Sequence, residues 1–373
     1  MAGNILVAIG GTFVLADIRM AQGRLHEAVR AYERSLQLAE EQSEPVLQGT
    51  ADLYLGLSEL ECERGDLEAA RQHLLTSKEL GEHAALPELQ YRSCVAQARI
   101  REAEGDLDGA LDLLHEAERQ YISSPVSDVR PAAALKARVW IAQGRLAEAL
   151  GWAREQGLSA HDELSYMREF EHITLARMLI AHYRSDRIER SIHEAMELLE
   201  RLLQAAEESG SMRSVIEILV LQALAHEAQG DSPSALVPLE RALSLAEPEG
   251  YVRIFVDEGL PMARLLYEAL SQGVESDYIR RLLAAFPVAE SGQTASSPMR
   301  GSKSELVEPL SERELEVLQL IAEGLTNQEV ATRLYLSLHT VKVHARNIFT
   351  KLAVKNRAQA VARGRALGIL SQT

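Results

Sequence analysis

Gly23-Arg24-Leu25-His26-Glu27-Ala28, Gly65-Asp66-Leu67-Glu68-Ala69-Ala70, Gly105-Asp106-Leu107-Asp108-Gly109-Ala110 and Gly144-Arg145-Leu146-Ala147-Glu148-Ala149 are four copies of one signature, Gly-(Asp/Arg)-Leu-x-x-Ala. Two weaker copies follow, Asp186-Arg187-Ile188-Glu189-Arg190-Ser191 and Gly230-Asp231-Ser232-Pro233-Ser234-Ala235, so the signature begins at 23, 65, 105, 144, 186 and 230. A period near 40 residues belongs to stacked helical hairpins, none of which buries its apolar face alone. Each part of the signature has a physical role. Gly supplies the left-handed residue that ends one helix, Asp caps the next, Leu enters the core, and Ala three residues later lets helices approach closely.

Apolar spacing agrees. Leu67, Ala70, Leu74 and Leu75 share one helical face, as do Leu107, Ala110, Leu111 and Leu114, with Glu, Gln and Arg between them facing water. Strand-like alternation is missing, so the body is expected to be all-α. It resembles tetratricopeptide repeats, with a longer period that implies longer helices. Beyond the repeats, apolar-periodic segments around Pro261–Leu270 and Asp277–Phe286 are expected to cap the stack. The body therefore takes residues 1–286. Residues 287–309 hold eleven Ser, Thr, Gly or Pro in 23 positions and read as a flexible linker with a span of roughly 25 Å.

Residues 310–373 carry four short helix signals. Ser311-Glu312-Arg313-Glu314 is a capping box for a first helix, with Leu315, Leu318 and Ile321 inward and Gly324 at its end. Thr326-Asn327-Gln328-Glu329 is a second capping box, for a helix with Val330, Ala331 and Leu334 inward. Ser337 caps a third, with Val341, Ile348 and Leu352 inward, and Asn356 opens a fourth containing Ala360, Val361 and Leu367. A short helix, a tight turn and a basic third helix make a helix-turn-helix. That register turns Lys342, Val343, Arg346 and Asn347 outward. Lys342 and Arg346 suit guanine edges or phosphate, Asn347 base edges or backbone, and Val343 a thymine methyl. The helix starts at Thr326 and Ser337 offer amides and hydroxyls to phosphates, and Lys351, Lys355 and Arg357 extend the positive surface.

Leu310-Ser311-x-Arg313-Glu314-x-Glu316-Val317-Leu318, Gly324-x-Thr326-Asn327-x-Glu329-Val330-Ala331, Ser337-x-x-Thr340-Val341-Lys342-x-His344 and Lys351-Leu352-x-Val354-x-Asn356-Arg357-x-Gln359-Ala360 together resemble the LuxR-type DNA-binding domain over the whole tail. The resemblance implies double-stranded DNA as partner, readout by Lys342, Val343 and Arg346 with Thr340 in the same motif, and a homodimer on a palindromic site through Ala360, Val361 and Arg365. Contact with RNA polymerase is a further expectation. The repeats with Gly250-Tyr251-Val252-Arg253-Ile254-Phe255-Val256-Asp257-Glu258-Gly259 resemble the C-terminal part of MalT-like LuxR regulators, which implies an unknown small-molecule or protein signal received on the repeats. Those regulators also carry an ATPase domain. None of the six lysines here follows a glycine, so no Gly-Lys-Ser/Thr phosphate loop is present and ATP binding is not carried over.

Charge is divided in the same way. The chain has 39 basic and 55 acidic residues, net −16, which at face value disfavours a nucleic-acid or anionic-membrane partner. Residues 331–373, however, hold eight basic and no acidic residues, leaving 31 basic against 55 acidic, net −24, in residues 1–330. The acidic excess reads as a solvated repeat surface. Two cysteines, Cys62 and Cys94, in no metal or disulfide pattern indicate a reducing cytoplasm, and the apolar run Ile5–Ala16 is too short to span a bilayer. No catalytic grouping, metal motif or cofactor loop is visible, so neither enzyme activity nor a cofactor is expected. Trp140, Trp152, Tyr166 and Tyr183 suit a ligand groove, with core packing the preferred reading of each. The readings left open are a sigma-factor promoter-binding module for the tail and a protein-interaction scaffold with a degenerate DNA-binding tail for the whole.

Overall fold

The computed structural model describes residues 2–41, 49–81, 88–120, 130–274, 276–286, 312–322 and, further on, 325, 326, 329, 330, 333, 345, 348, 354, 357, 360, 361 and 363. The described residues are helical, without a strand. The chain divides into two compact units, residues 1–286 and 287–373.

Unit 1 is six antiparallel helical hairpins: α1 (Ala2–Ala21) with α2 (Leu25–Glu40), α3 (Thr50–Glu63) with α4 (Leu67–Leu80), α5 (Leu89–Ala103) with α6 (Leu107–Gln120), α7 (Ala132–Ala142) with α8 (Leu146–Glu155), α9 (Glu169–Asp186) with α10 (Glu189–Ser209), and α11 (Met212–Gln229) with α12 (Ser232–Ala246). The signature marks every hairpin turn. Gly23, Gly65, Gly105, Gly144 and Gly230 have φ between +74° and +84°, which an L side chain adopts at a cost. The fifth copy is corrected by one residue. Arg187 (φ +55°), not Asp186, takes the left-handed position, and α10 starts two residues later as in the other copies. Asp66, Asp106 and Asp231 accept from the backbone N–H three residues on, at 2.9, 3.0 and 3.2 Å, whereas Arg24 and Arg145 supply no side-chain cap. Ala28, Ala70, Ala110, Ala149 and Ala235 are fully buried. Leu75 departs from the reading and is half-exposed, because the buried stripe of α4 runs through Ala70 and Leu74.

Odd-numbered helices form the inner wall, with α1 touching α3, α3 touching α5, α7 touching α9 and α9 touching α11. The array then closes on itself, since α1 of the first hairpin also touches α11 of the sixth. A strap after α12 completes the closure. Tyr251, Val252, Ile254, Phe255 and Val256 are all buried, and the short helix α13 (Arg253–Val256) packs on α3 and α11. Val252 N–H donates to the Glu63 carbonyl at 3.1 Å, and the His26 N–H donates to Glu249 at 2.9 Å. Val252 lies so close to Gly65 that a Cβ there would meet its Cγ1 at 2.8 Å. Helices α14 (Leu260–Ser271) and α15 (Asp277–Ala285) follow near the segments expected to cap the stack, with the Tyr278 ring edge-on to Phe255 at 6.1 Å. Among the described residues no helix is long and apolar enough to cross a membrane.

Candidate nucleic-acid interface and interior cavity

Unit 2 builds one small core from all four of its sequence segments: Val317, Leu318, Leu320 and Ile321 of α16 (Glu312–Ala322), then Val330, Ala345 and Ile348, then Ala360. Val330, Ile348 and Ile321 face inward as expected. Leu315 does not, and is over a third exposed. The stripe of α16 is centred near Ile321 and Val317, which at about 100° per residue leaves Leu315 on the far side of the helix. The second capping box is formed in full: the Thr326 N–H donates to Glu329 Oε2 at 2.7 Å, its hydroxyl to the same oxygen at 2.8 Å, and the Glu329 N–H to Thr326 Oγ1 at 3.4 Å. Hydrogen bonds from the Thr326 amide and hydroxyl hold the Glu329 carboxyl below its usual range.

Two expected surface residues have other positions. Arg357 is half-buried, and its Nη2 donates to the carbonyls of Ile321 (3.2 Å) and Leu325. It braces the C-terminal end of α16, whose last carbonyls have no partner inside the helix. Ala360 is fully buried in the core of its own unit, so it has no surface to offer a second copy; Val361 is half-buried beside it. Asn327, Ser337, Thr340, Lys342, Val343, Arg346, Asn347, Lys351, Lys355 and Arg365 lie outside the described residues.

In unit 1 the acidic excess is only partly a solvated surface. Glu63, Glu217 and Asp52 are buried, within an ion network that joins the inner helices. Glu63 accepts from Arg99 (2.7 Å) and Arg213 (3.1 Å). Glu217 holds Arg138 at 2.6 Å, Arg177 at 3.0 Å and Arg213 at 3.6 Å, and Arg177 also reaches Glu258 of the strap. Burial alone raises the Glu217 carboxyl, but Arg138, Arg177, Arg213 and Arg130 outweigh it and hold the group at about 2. Glu63 is likewise held well below the usual carboxylate range, by Arg213, Arg99 and Arg130 acting against burial. One signal was available in the sequence for Glu217, a lone carboxylate in the apolar run Val215-Ile216-Glu217-Ile218-Leu219-Val220-Leu221. Glu63, in the charged stretch Glu61-Cys62-Glu63-Arg64, has none.

Against this network lies a cavity of about 690 Å³ at the centre of the array, walled by α1, α3, α5, α9 and α11. Its volume is in the range that encloses a drug-sized molecule. Val14 and Ile18 of α1 are exposed on one wall, and Tyr166 and Met167, just before α9, on another. Of the four aromatics considered for a groove, Tyr166 alone lines this cavity; Trp152 and Tyr183 are core residues, and Trp140 packs half-buried against the core with Lys136 Nζ 5.4 Å from its ring centroid.

Comparison with known proteins matches residues 1–272 to the MalT-like TPR region and residues 308–363 to the bacterial regulatory proteins of the luxR family. The chain belongs to the MalT-like regulators of the luxR family. Curated relatives of this luxR-family regulator include the response regulator protein VraR of Staphylococcus epidermidis and of Staphylococcus aureus, each 40% identical over 110 residues. The match takes in 26% of this chain, and the chain spans 52% of each relative's length.

Proposed function

We propose that the chain is a transcriptional regulator that binds operator DNA through unit 2 as a dimer, under control of a signal received in the cavity of unit 1. The observation that carries the DNA reading is the Thr326–Glu329 capping box set on a core shared by all four tail segments, the frame a helix-turn-helix needs. The buried Ile348 supports the sequence register in which Val341, Ile348 and Leu352 are inward and Lys342, Val343, Arg346 and Asn347 are the outward set. Lys342, Val343, Arg346 and Asn347 are then the base-reading set. Asn327, Ser337, Thr340, Lys351 and Lys355 position the phosphates, whereas Thr326, whose amide and hydroxyl are both taken by Glu329, and Arg357 brace the fold rather than presenting free donors. Val361 and Arg365 remain for the dimer surface and RNA polymerase for the downstream contact.

Selection of random duplexes on the full chain tests this, and enrichment of a palindrome is the expected result. On the selected site, Lys342→Ala with Arg346→Ala should weaken binding by at least about tenfold, each good base contact contributing roughly 1–3 kcal/mol. Affinity should also fall steeply with salt, as released counterions require. No enriched sequence, or full affinity in the double variant, would refute the assignment.

A further inference from the structure

The cavity carries more information than its size. Its walls bear six carboxylates and four guanidinia, and the ion pairs decide the sign of the surplus. Arg99 and Arg213 are engaged by Glu63 and Glu217, and Arg92 by Asp52 (3.5 Å) and Glu59 (3.6 Å). Asp17, Glu88 and Glu169 line the cavity with no ion pair among the described residues; Glu169 takes only the Ser214 hydroxyl, at 2.6 Å. Asp17 sits on α1 between Val14 and Ile18, all three exposed, and the exposed Tyr166 and Met167 line the same cavity. Its carboxyl is pushed up to about 6, because desolvation raises it, Arg92 only partly offsets this, and Glu59 adds repulsion. Arg92, which lowers it, is itself held by Asp52 and Glu59, so Asp17 keeps no ion pair of its own among the described residues.

We propose that the cavity binds a small organic cation, an ammonium group on an apolar body, with the ammonium against Asp17 and the body between Val14, Ile18, Tyr166 and Met167. The cation replaces the missing counter-ion, and the exposed Tyr166 ring adds a face on which an ammonium group is attracted. Three of the four wall guanidinia, Arg92, Arg99 and Arg213, are engaged by carboxylates, and the fourth, Arg130, lies over the Phe170 ring at 4.9 Å. The proposal rests on the cavity being the site where the signal is received.

Titration calorimetry of the full chain with hexylammonium, hexanol and hexanoate tests it, one carbon skeleton with three head groups. Hexylammonium should bind at least about tenfold tighter than hexanol, as expected for a charge-assisted hydrogen bond, and hexanoate should bind more weakly than either. Asp17→Asn should reduce the hexylammonium affinity to that of hexanol and leave hexanol binding unchanged, whereas Ile18→Trp, which puts an indole where the apolar body lies, should weaken binding of all three. Hexanoate binding as tightly as hexylammonium, or an unchanged preference in Asp17→Asn, overturns the cation assignment while leaving the cavity a binding site. Binding of none of the three, or binding indifferent to Ile18→Trp, removes the cavity reading itself and the cation assignment with it.

Discussion

Glu217→Gln tests whether buried charge holds the repeat array closed. The carboxylate is 3% exposed and faces Arg138 at 2.6 Å, Arg177 at 3.0 Å and Arg213 at 3.6 Å. Glutamine keeps the shape and one acceptor oxygen but leaves three guanidinia facing one another in a site screened from water. Removing one partner of a buried ion pair costs about 3–5 kcal/mol, and the retained acceptor argues for the lower end, about 3 kcal/mol. The matched control is Glu207→Gln, which breaks a 2.6 Å pair with Arg241 whose side chains are 40% and 50% exposed, and should cost under about 1 kcal/mol. Urea unfolding of the full chain, followed by helical circular dichroism, compares the two. Adding Arg138→Met to Glu217→Gln removes one of the stranded charges and should recover part of the loss. The same carboxylate sets the acid limit. Because its folded pKa is about 2, below the unfolded value, its contribution is complete above about pH 4.5 and is lost as pH falls toward 2, so the variant should show a flatter acid limb. A Glu217→Gln cost no larger than that of Glu207→Gln would refute the reasoning, since the interior charges would then be screened like surface ones.

Three further outcomes are expected. Gly65→Ala places a Cβ at φ +82° and 2.8 Å from Val252 Cγ1, so it should destabilise the array by roughly 1–3 kcal/mol; Val252→Ala in the same chain should relieve the Cγ1 clash and leave the backbone part and the 3.1 Å approach of the residue 252 Cβ, read as urea midpoints. Arg357→Met withdraws the donor from the Ile321 and Leu325 carbonyls and should cost unit 2 roughly 1–3 kcal/mol, seen as faster amide exchange at the end of α16, with no change in unit 1. Asp17→Asn removes a carboxylate whose folded pKa is raised, so its destabilising effect grows as pH rises through about 6. The variant should therefore melt higher than the parent at pH 8 and nearly with it at pH 4, and an equal shift at both values would contradict the assignment of that group.

The legible parts of this molecule are the ones made by neighbours in sequence. A left-handed residue, an Asp cap and a small residue at fixed offsets act within about six positions, so the hairpins, their number and their turns could be read directly. The fifth copy slipped by one residue because Arg187 occupies a position where composition alone favours Gly. The Thr326–Glu329 box was legible for the same reason. Leu315 and Ala360 were misplaced because apolar spacing fixes a stripe only to within about one residue, and a helix packed on several neighbours buries more than one stripe.

The sequence by itself determined an all-α chain of hairpin repeats joined to a basic helix-turn-helix tail, since propensity, capping and periodicity are local and each copy repeats the same instruction. Only the tertiary structure decided that the repeats close, that Glu63 meets Arg213 from 150 positions away, and that the strap at Tyr251–Val256 fastens onto α3. A charged residue on a helix looks the same in sequence whether it meets water or three arginines. What distinguishes the two is the curvature accumulated over six hairpins, and that curvature is also what brings α1 against α11 and sets Asp17 on the wall of a cavity.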